Sequence, residues 1–406
     1  MKIQRTIPPA AAAIGWKDLW HGLLGFFNGD EALKSREQEL RHYFGVRHVF
    51  PVSSGKAALY LILKGLRSLY PERDEVIIPA YTCFSVPSAI VKAGLRVVPA
   101  DIDPNTFDFN QDHLRDAINE RTLCVIPGHL FGIPANMDAI GALCRPRKVV
   151  VIEDAAQSMG GHYKGRKLGT VGDVGFFSFG RGKNITCGAG GIILTDSDVI
   201  ASAINKEYVL TSSPVIHEDV VEFFKLVLLV LFIKPSLYWL PAAIPFLRLG
   251  ETIFYKDFPV KRLSKIKAGI LRNWQQRLEE SNRVRTENTR YLCGESGVKP
   301  AVRSWEDVVF LRLPLVLKDR ESRDVLYSVS KERGLGLSRM YPTPVNEIAE
   351  IKDQMNNKTF PSAKAISERL LNIPTHPLLS QRDKDMICGL LSDKTYILKQ
   401  EAQLCH

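Results

Sequence analysis

Apolar runs and polar stretches alternate along this chain so as to predict strands and helices in turn. Glu37 to Tyr43 is polar with helical spacing, His48–Val52 is a short strand, Ser53-Ser54-Gly55 is a turn, and Ala57–Leu66 is an apolar helix. Short β-branched runs follow at Glu75–Pro79, Arg96–Ala100, Leu123–Pro127 and Lys148–Glu153, each leading through a loop into a helical stretch. Strands that alternate with helices at this spacing imply a mostly parallel sheet covered by helices on both faces. Two more strands, Val174–Phe179 and Ile192–Thr195, flank a Gly-rich stretch of the kind needed where backbone approaches a ligand.

Beyond them the pattern changes. Residues 266–300 read as one long polar helix. Residues 300–406 read as a smaller α+β unit, with a strand near Val308–Leu315 and helices near 320–333 and 362–371. The expected fold class is therefore α/β, a large mostly parallel-sheet domain followed by a smaller C-terminal α+β domain. The division is an N-terminal arm or helix at 1–34, the large domain at 35–210, an apolar insert and loop at 211–262, and a linking helix with the small domain at 263–406.

The insert is the oddest segment. Leu226–Ile233 is eight apolar residues without a break, flanked by Lys225 and Lys234 and followed by Pro235, Tyr238-Trp239, Pro241, Pro245 and Arg248. A single membrane span needs roughly 20 apolar residues, and the prolines break any continuous helix. One enzyme built from the flanking segments also requires an even number of crossings, which so short a stretch does not supply. An in-plane or re-entrant hairpin on a membrane surface fits, as does burial against the protein's own body or a dimer partner. Trp16–Phe27, with its clustered aromatics, either joins such a patch or packs on a neighbouring subunit.

The composition, 45% hydrophobic and 24% charged, is that of a folded globular protein, and 406 residues suit two packed units. A formal charge of +10 favours anionic partners, either nucleotide phosphates or an acidic membrane face. Without a compact Lys/Arg block or zinc-type Cys/His spacing, nucleic acid is not an expected partner, and no metal site is expected. Seven cysteines, at 83, 124, 144, 187, 293, 388 and 405, form no CxxC pair and suggest free thiols in a reducing compartment. Pro8, Pro9 and Asp18 interrupt any signal-peptide core, so the expected location is cytoplasmic, with the cytoplasmic face of a membrane as its variant.

The chemistry concentrates in Val150–Thr195. Asp154 directly follows a hydrophobic strand, at the edge where open α/β sheets bind ligands. Lys183 lies 29 residues later (183 − 154) in the Gly-rich loop, after Ser178 at the end of another strand. Pyridoxal-phosphate (PLP) chemistry needs an amine to form a Schiff base and move protons, an acid to keep the pyridine nitrogen protonated, and hydroxyl and N–H groups for the phosphate. Taken singly, an Asp after a strand is often a helix cap and a loop lysine is usually solvated; the combination in this order is far more specific.

These residues carry a resemblance to PLP-dependent sugar aminotransferases of the DegT/DnrJ/StrS type, whose fold is that of aspartate aminotransferase (fold type I). The matching stretches are PVSSGKAALYL, EVIIPAYTCFSVPSAIVKAGLRVVPADIDPNTF, HLFGIPANMDAI, EDAAQSMGG, GDVGFFSFGRGKNIT and ERLLNIPTHPLLSQRDKDMI. The resemblance implies that Lys183 is the Schiff-base lysine and Asp154 the partner of the pyridine nitrogen. It places Gln157 near the cofactor ring, Ser178 on the phosphate, and Ser54 and Gly55 in the turn that cradles the phosphate. It further implies a homodimer with shared sites, glutamate as amino donor, and a keto-sugar, nucleotide- or lipid-linked, as acceptor. Relatives with histidine at the position of Lys183 eliminate instead, so a sugar dehydratase is the alternative within the class and a membrane-attached non-catalytic homologue the alternative outside it.

Four positions depart from the family pattern. Lys56 replaces a threonine and meets the phosphate by charge instead. Cys83 stands where an aromatic ring stacks on the cofactor, with Tyr81 and Phe84 adjacent, and Phe84 is the candidate replacement. Gly188-Ala189-Gly190-Gly191 lacks a carboxylate. The segment 259–264, PVKRLS, keeps Arg262 but has Val260 where an asparagine reaches the neighbouring subunit's phosphate.

Overall fold

The computed structural model describes residues 5–392 apart from 13, 245–246, 248, 251, 301, 303–306 and 356–357. Pro245, Arg248 and Cys405, named above, lie outside the described residues. Its strands are β1 (His48–Val52), β2 (Glu75–Pro79), β3 (Arg96–Ala100), β4 (Thr122–Val125), β5 (Val150–Asp154), β6 (His162–Tyr163), β7 (Arg166–Lys167), β8 (Val174–Ser178), β9 (Gly191–Thr195), β10 (Arg312–Val316) and β11 (Leu370–Pro374).

Seven of them form one sheet in the order β1-β9-β8-β5-β4-β2-β3. The pairs β2–β3, β2–β4, β4–β5 and β5–β8 are parallel, while β9 runs against both β8 and β1. Helices on both faces explain why these strands read as unbroken apolar runs. Val76 and Ile78 of β2 join the core that includes helix Gly55–Leu69, and the intervening Ile77 joins a second core with Ile140 and Leu114 on the opposite face.

The smaller unit pairs β10 with β11 in antiparallel register, from Arg312 opposite Pro374 to Val316 opposite Leu370. Helices Arg320–Arg333, Pro361–Arg369 and Gln381–Leu391 accompany it. Two expectations need correction here. The helix expected to reach residue 371 ends at Arg369, because Leu370 and Leu371 are drawn into β11, which is buried along its whole length. The single helix expected over 266–300 is two, Lys265–Ile270 and Trp274–Ser296. At the break Arg277 Nη1 takes the free carbonyl of Ile270 (2.9 Å), and Trp274 buries its ring while Nε1 donates to Glu39 (3.1 Å).

The insert begins with helix Ile216–Phe232. Leu226 and Val230 are buried, and a Cβ at Gly188 would lie 2.5 Å from Leu226 Cδ2, so the helix packs directly on the loop that follows Lys183. Its opposite stripe, Ile216, Val220, Phe224 and Leu228, is exposed. Helix Trp16–Phe27 contacts it and leaves Trp16, Trp20 and Phe27 exposed. Among the described residues no helix is long and apolar enough to cross a membrane. None of the six described cysteines is paired.

Candidate active site

The C-terminal ends of β5 and β8 and the N-terminus of helix Gly55–Leu69 converge. Ser54 caps that helix, its Oγ accepting from Ala57 N–H (3.1 Å), which leaves the amides of Gly55 and Lys56 at the positive end of the helix. A Cβ on Gly55 would sit 3.0 Å from Ser178 Cβ, and one on Gly191 would sit 2.7 Å from the carbonyl of Ser54. Glycine at both positions therefore lets Ser178, the end of β9 and the helix start close around one small volume. Ser178 Oγ also accepts from Gly180 N–H (3.4 Å). A phosphate fits this donor set.

Asp154 ends β5, where its Oδ1 accepts from Ala156 N–H (3.1 Å). The carboxylate lines a recess shared with Tyr81, Thr82, His129, Gln157 and Tyr341. Burial raises its pKa, and the charge of Lys183 opposes that shift. Beneath it, Glu153 is fully buried and accepts from the amides of Gly169 (2.9 Å), Val171 (2.5 Å) and Gly172 (2.6 Å). His129 Nδ1 accepts from Ala135 N–H (3.1 Å), so its Nε2 carries the proton donated to Glu153 (2.9 Å). Gln157 Oε1 accepts from Phe131 N–H (3.2 Å) and its Nε2 donates to the hydroxyl of Tyr341 (2.9 Å), fixing the amide's orientation.

Lys183 sits in the turn after β8, its N–H donating to Gly180 O (3.2 Å). Burial lowers its pKa; Cys83 and Asp154 pull the other way, and Arg312 adds to the lowering. Arg285 holds the turn from behind, donating from Nη2 to Ala11 O (2.6 Å) and Lys183 O (3.4 Å) and from Nη1 to Leu311 O (2.8 Å). The stretch around Ala11 is itself tied down: Arg5 pairs with the buried Asp383 (2.6 Å), Thr6 N–H reaches Pro235 O (2.8 Å), and His376 Nε2 donates to Pro8 O (2.8 Å).

Lys183, Asp154, Gln157, Ser178, Ser54 and Gly55 thus come together. The half-buried Lys56 has its Nζ 4.6 Å above the ring of Tyr255 and 4.9 Å above that of Phe258. Phe84 is buried in the main core, and it is Cys83 whose sulfur lies within electrostatic reach of Lys183, Lys56 and Arg312. Arg262 bridges to Val52 at the end of β1. Sequence reasoning missed the Glu153–His129 pair, Arg285, Arg312 and Tyr341. Of these only Glu153 had a signal in the sequence, as the acid preceding Asp154 in EDAAQ.

A profile of the DegT/DnrJ/EryC1/StrS aminotransferase family matches residues 25–219 and 258–392. The chain belongs to this family. It is a PLP-dependent aminotransferase of fold type I. A pleiotropic regulatory protein of Geobacillus stearothermophilus is 27% identical over 91% of this chain and 90% of its own length. A GDP-perosamine synthase of Caulobacter vibrioides is 37% identical over 41% of this chain, a match that spans only 44% of that enzyme. The sugar aminotransferase CalS13 of Micromonospora echinospora shares the fold, with a TM-score of 0.76 at 21% identity over 95% of this chain and 99% of that one. The family profile does not match residues 220–257, which hold most of the apolar stretch.

Proposed function

We propose that this enzyme moves an amino group from glutamate to a keto-sugar carried on a nucleotide or lipid, for amino-sugar glycan or glycolipid synthesis. The observation that carries this reading is the lysine amine of Lys183, its pKa lowered by its surroundings, set beside the half-buried Asp154 carboxylate and a helix-end anion cradle. Bound PLP supplies an electron sink for the carbon that loses or gains the amine. Lys183 holds the nucleophilic nitrogen, and the lowering of its pKa by burial keeps that nitrogen closer to the neutral form that attacks a carbonyl. Once displaced, the same amine takes and returns the proton. In the bound enzyme Asp154 would pair with the pyridine nitrogen, Gln157, its amide fixed by Phe131 and Tyr341, would lie near the ring, and Ser54, Gly55 and Ser178 would hold the phosphate, with the charge of Lys56 nearby. A homodimer belongs to this reading, and sedimentation of active protein as a monomer would refute that part.

Purified protein is expected to show the visible band of lysine-bound PLP and to lose it on adding glutamate. Lys183→Arg is expected to abolish turnover; a variant that still turns over sinks the assignment.

A second reading concerns location. Helices Trp16–Phe27 and Ile216–Phe232, which lie largely in the segments the family profile leaves out, touch one another and carry the exposed stripes Trp16, Trp20 and Phe27 and Ile216, Phe224 and Leu228. A surface of this kind, on a chain of net charge +10, suits the cytoplasmic face of an anionic membrane. Flotation with vesicles containing phosphatidylglycerol tests it, and protein that stays at the bottom of the gradient with and without vesicles refutes it.

A further inference from the structure

The insert reaches the mouth of the active site from two sides. On its outgoing limb Leu226 packs on the loop after Lys183, its Cδ2 2.5 Å from where a Cβ on Gly188 would stand. On its returning limb Tyr255 and Phe258 hold their rings under the Nζ of Lys56, beside the phosphate cradle (4.6 and 4.9 Å). Between the limbs the chain is tied to the N-terminal arm, Thr6 N–H donating to Pro235 O (2.8 Å). The same arm presses on the lysine turn, where Ala10 Cβ lies 2.7 Å from where a Cβ on Gly182 would stand. Lys234 O accepts from the amides of Leu237 (2.8 Å) and Tyr238 (2.9 Å), so this part of the insert is one tight turn. The Tyr238 hydroxyl stands in the fields of Arg312 and of Arg181, an exposed residue of the lysine turn. Leu237 and Leu240, three positions apart and so on one face of the turn, are exposed at 38% and 39%.

A ligand that reacts at Lys183 and leaves the site past Tyr238 therefore meets a cation and a hydroxyl first, and apolar surface beyond them. We infer that the acceptor keto-sugar arrives on a lipid diphosphate, with the diphosphate between Arg181 and Tyr238 and the chain running out over Leu237 and Leu240. This rests on the aminotransferase reading above and specifies the carrier. The order of groups along such a ligand, from carbonyl through sugar ring and diphosphate to chain, is the order in which the protein presents their partners. The planar fork of Arg181 suits phosphate oxygens. Burial raises the pKa of Tyr238, so its hydroxyl keeps the proton it donates. A nucleotide would need hydrogen-bonding groups for its ribose and base where the chain would lie, and leucine side chains supply none. A lipid carrier also gives a use to the exposed stripes of helices Ile216–Phe232 and Trp16–Phe27. A membrane seated on them holds the carrier and the mouth of the site together.

The test uses the PLP-loaded enzyme and three ligands that lack the keto-sugar and so bind without reacting: farnesyl diphosphate, UDP and inorganic diphosphate. Calorimetry is expected to show farnesyl diphosphate at least about tenfold tighter than either of the others, a factor that burial of about two methylenes supplies. Arg181→Gln should weaken all three about tenfold, by loss of a charged hydrogen bond. Leu237→Gln combined with Leu240→Gln should erase most of the lipid's margin over inorganic diphosphate. Farnesol, the chain without its diphosphate, should bind at least about tenfold more weakly than farnesyl diphosphate. UDP that binds as tightly as farnesyl diphosphate overturns the assignment, as does farnesol that matches its diphosphate. Failure of all three diphosphates to bind at millimolar concentrations overturns it as well. A double variant that turns a dimer into a monomer in sedimentation velocity places a second copy on these leucines and refutes the lipid. If the double variant does not fold, Leu240→Gln alone decides, and an unchanged margin there is refutation. Glutamate that fails to bleach the cofactor band of the unaltered enzyme would instead remove the aminotransferase reading.

Discussion

Acid should weaken this protein through one buried imidazole. His376 is wholly buried, donates from Nε2 to Pro8 O (2.8 Å) and accepts at Nδ1 from Leu378 N–H (3.3 Å). A second proton has no place: it would meet the Leu378 amide head-on. Burial, with the charge of Arg285 added, pushes the pKa down to about 3. An unfolded histidine titrates near 6.5, so below that pH the unfolded chain takes up a proton that the folded one refuses. The stability is complete above about pH 6.5 and falls progressively toward pH 3. Between pH 7 and pH 5 this one site should remove about 2 kcal/mol, from RT ln(1 + 10^1.5) at the lower pH. His376→Gln keeps a donor of similar reach toward Pro8 O and lacks the titration. Urea unfolding of both proteins at pH 7 and pH 5 should show the variant less stable at neutral pH, but with about 2 kcal/mol less loss on acidification. Parallel pH profiles would refute the reasoning.

Four further outcomes follow from particular side chains and contacts. Gly191→Ala forces a Cβ to within 2.7 Å of the Ser54 carbonyl, so PLP affinity measured by equilibrium dialysis should drop about tenfold or more as the turn is displaced. Glu153→Gln leaves an amide NH2 facing the peptide N–H groups of residues 169–172 and should cost about 2–3 kcal/mol in unfolding experiments. Leu226→Ala, at the buried stripe of the insert, should cost about 2–4 kcal/mol. Phe224→Ala, on the exposed stripe, should change stability by less than about 0.5 kcal/mol while reducing vesicle flotation.

How much of this was legible in the sequence depended on whether a feature was local. The strands of the large sheet were readable because burial on both faces makes each an uninterrupted β-branched run, as in EVIIP and RVVPA. β11 was not, because LLNIP follows its helix without a turn residue and only its pairing with β10 makes it a strand. Asp154, Ser178 and Lys183 were readable from their order after two strands. Arg285 and Arg312 were not, since an arginine in a polar helix or at a strand end looks solvated until the tertiary structure buries it wholly, as with Arg285, or in part, as with Arg312. In the insert the apolar character was plain, but the face that packs on Gly188 and the face left in the open follow from the helix being docked on the body of the enzyme.

The tie between Arg285 and Ala11 carries a consequence for how the enzyme is made. The contacts that fix residues 5–11 bridge separations of 274, 368 and 378 residues, to Arg285, His376 and Asp383. During synthesis this early stretch gains its partners in turn, from Pro235 and Arg285 through Gly334 to His376 and Asp383. Contacts of such separation form late. The bracing of the lysine turn is therefore completed last: a truncated product that ends before residue 376 would hold the complete sheet and Arg285 but lack the ties to His376 and Asp383 that fix the stretch Arg285 grips.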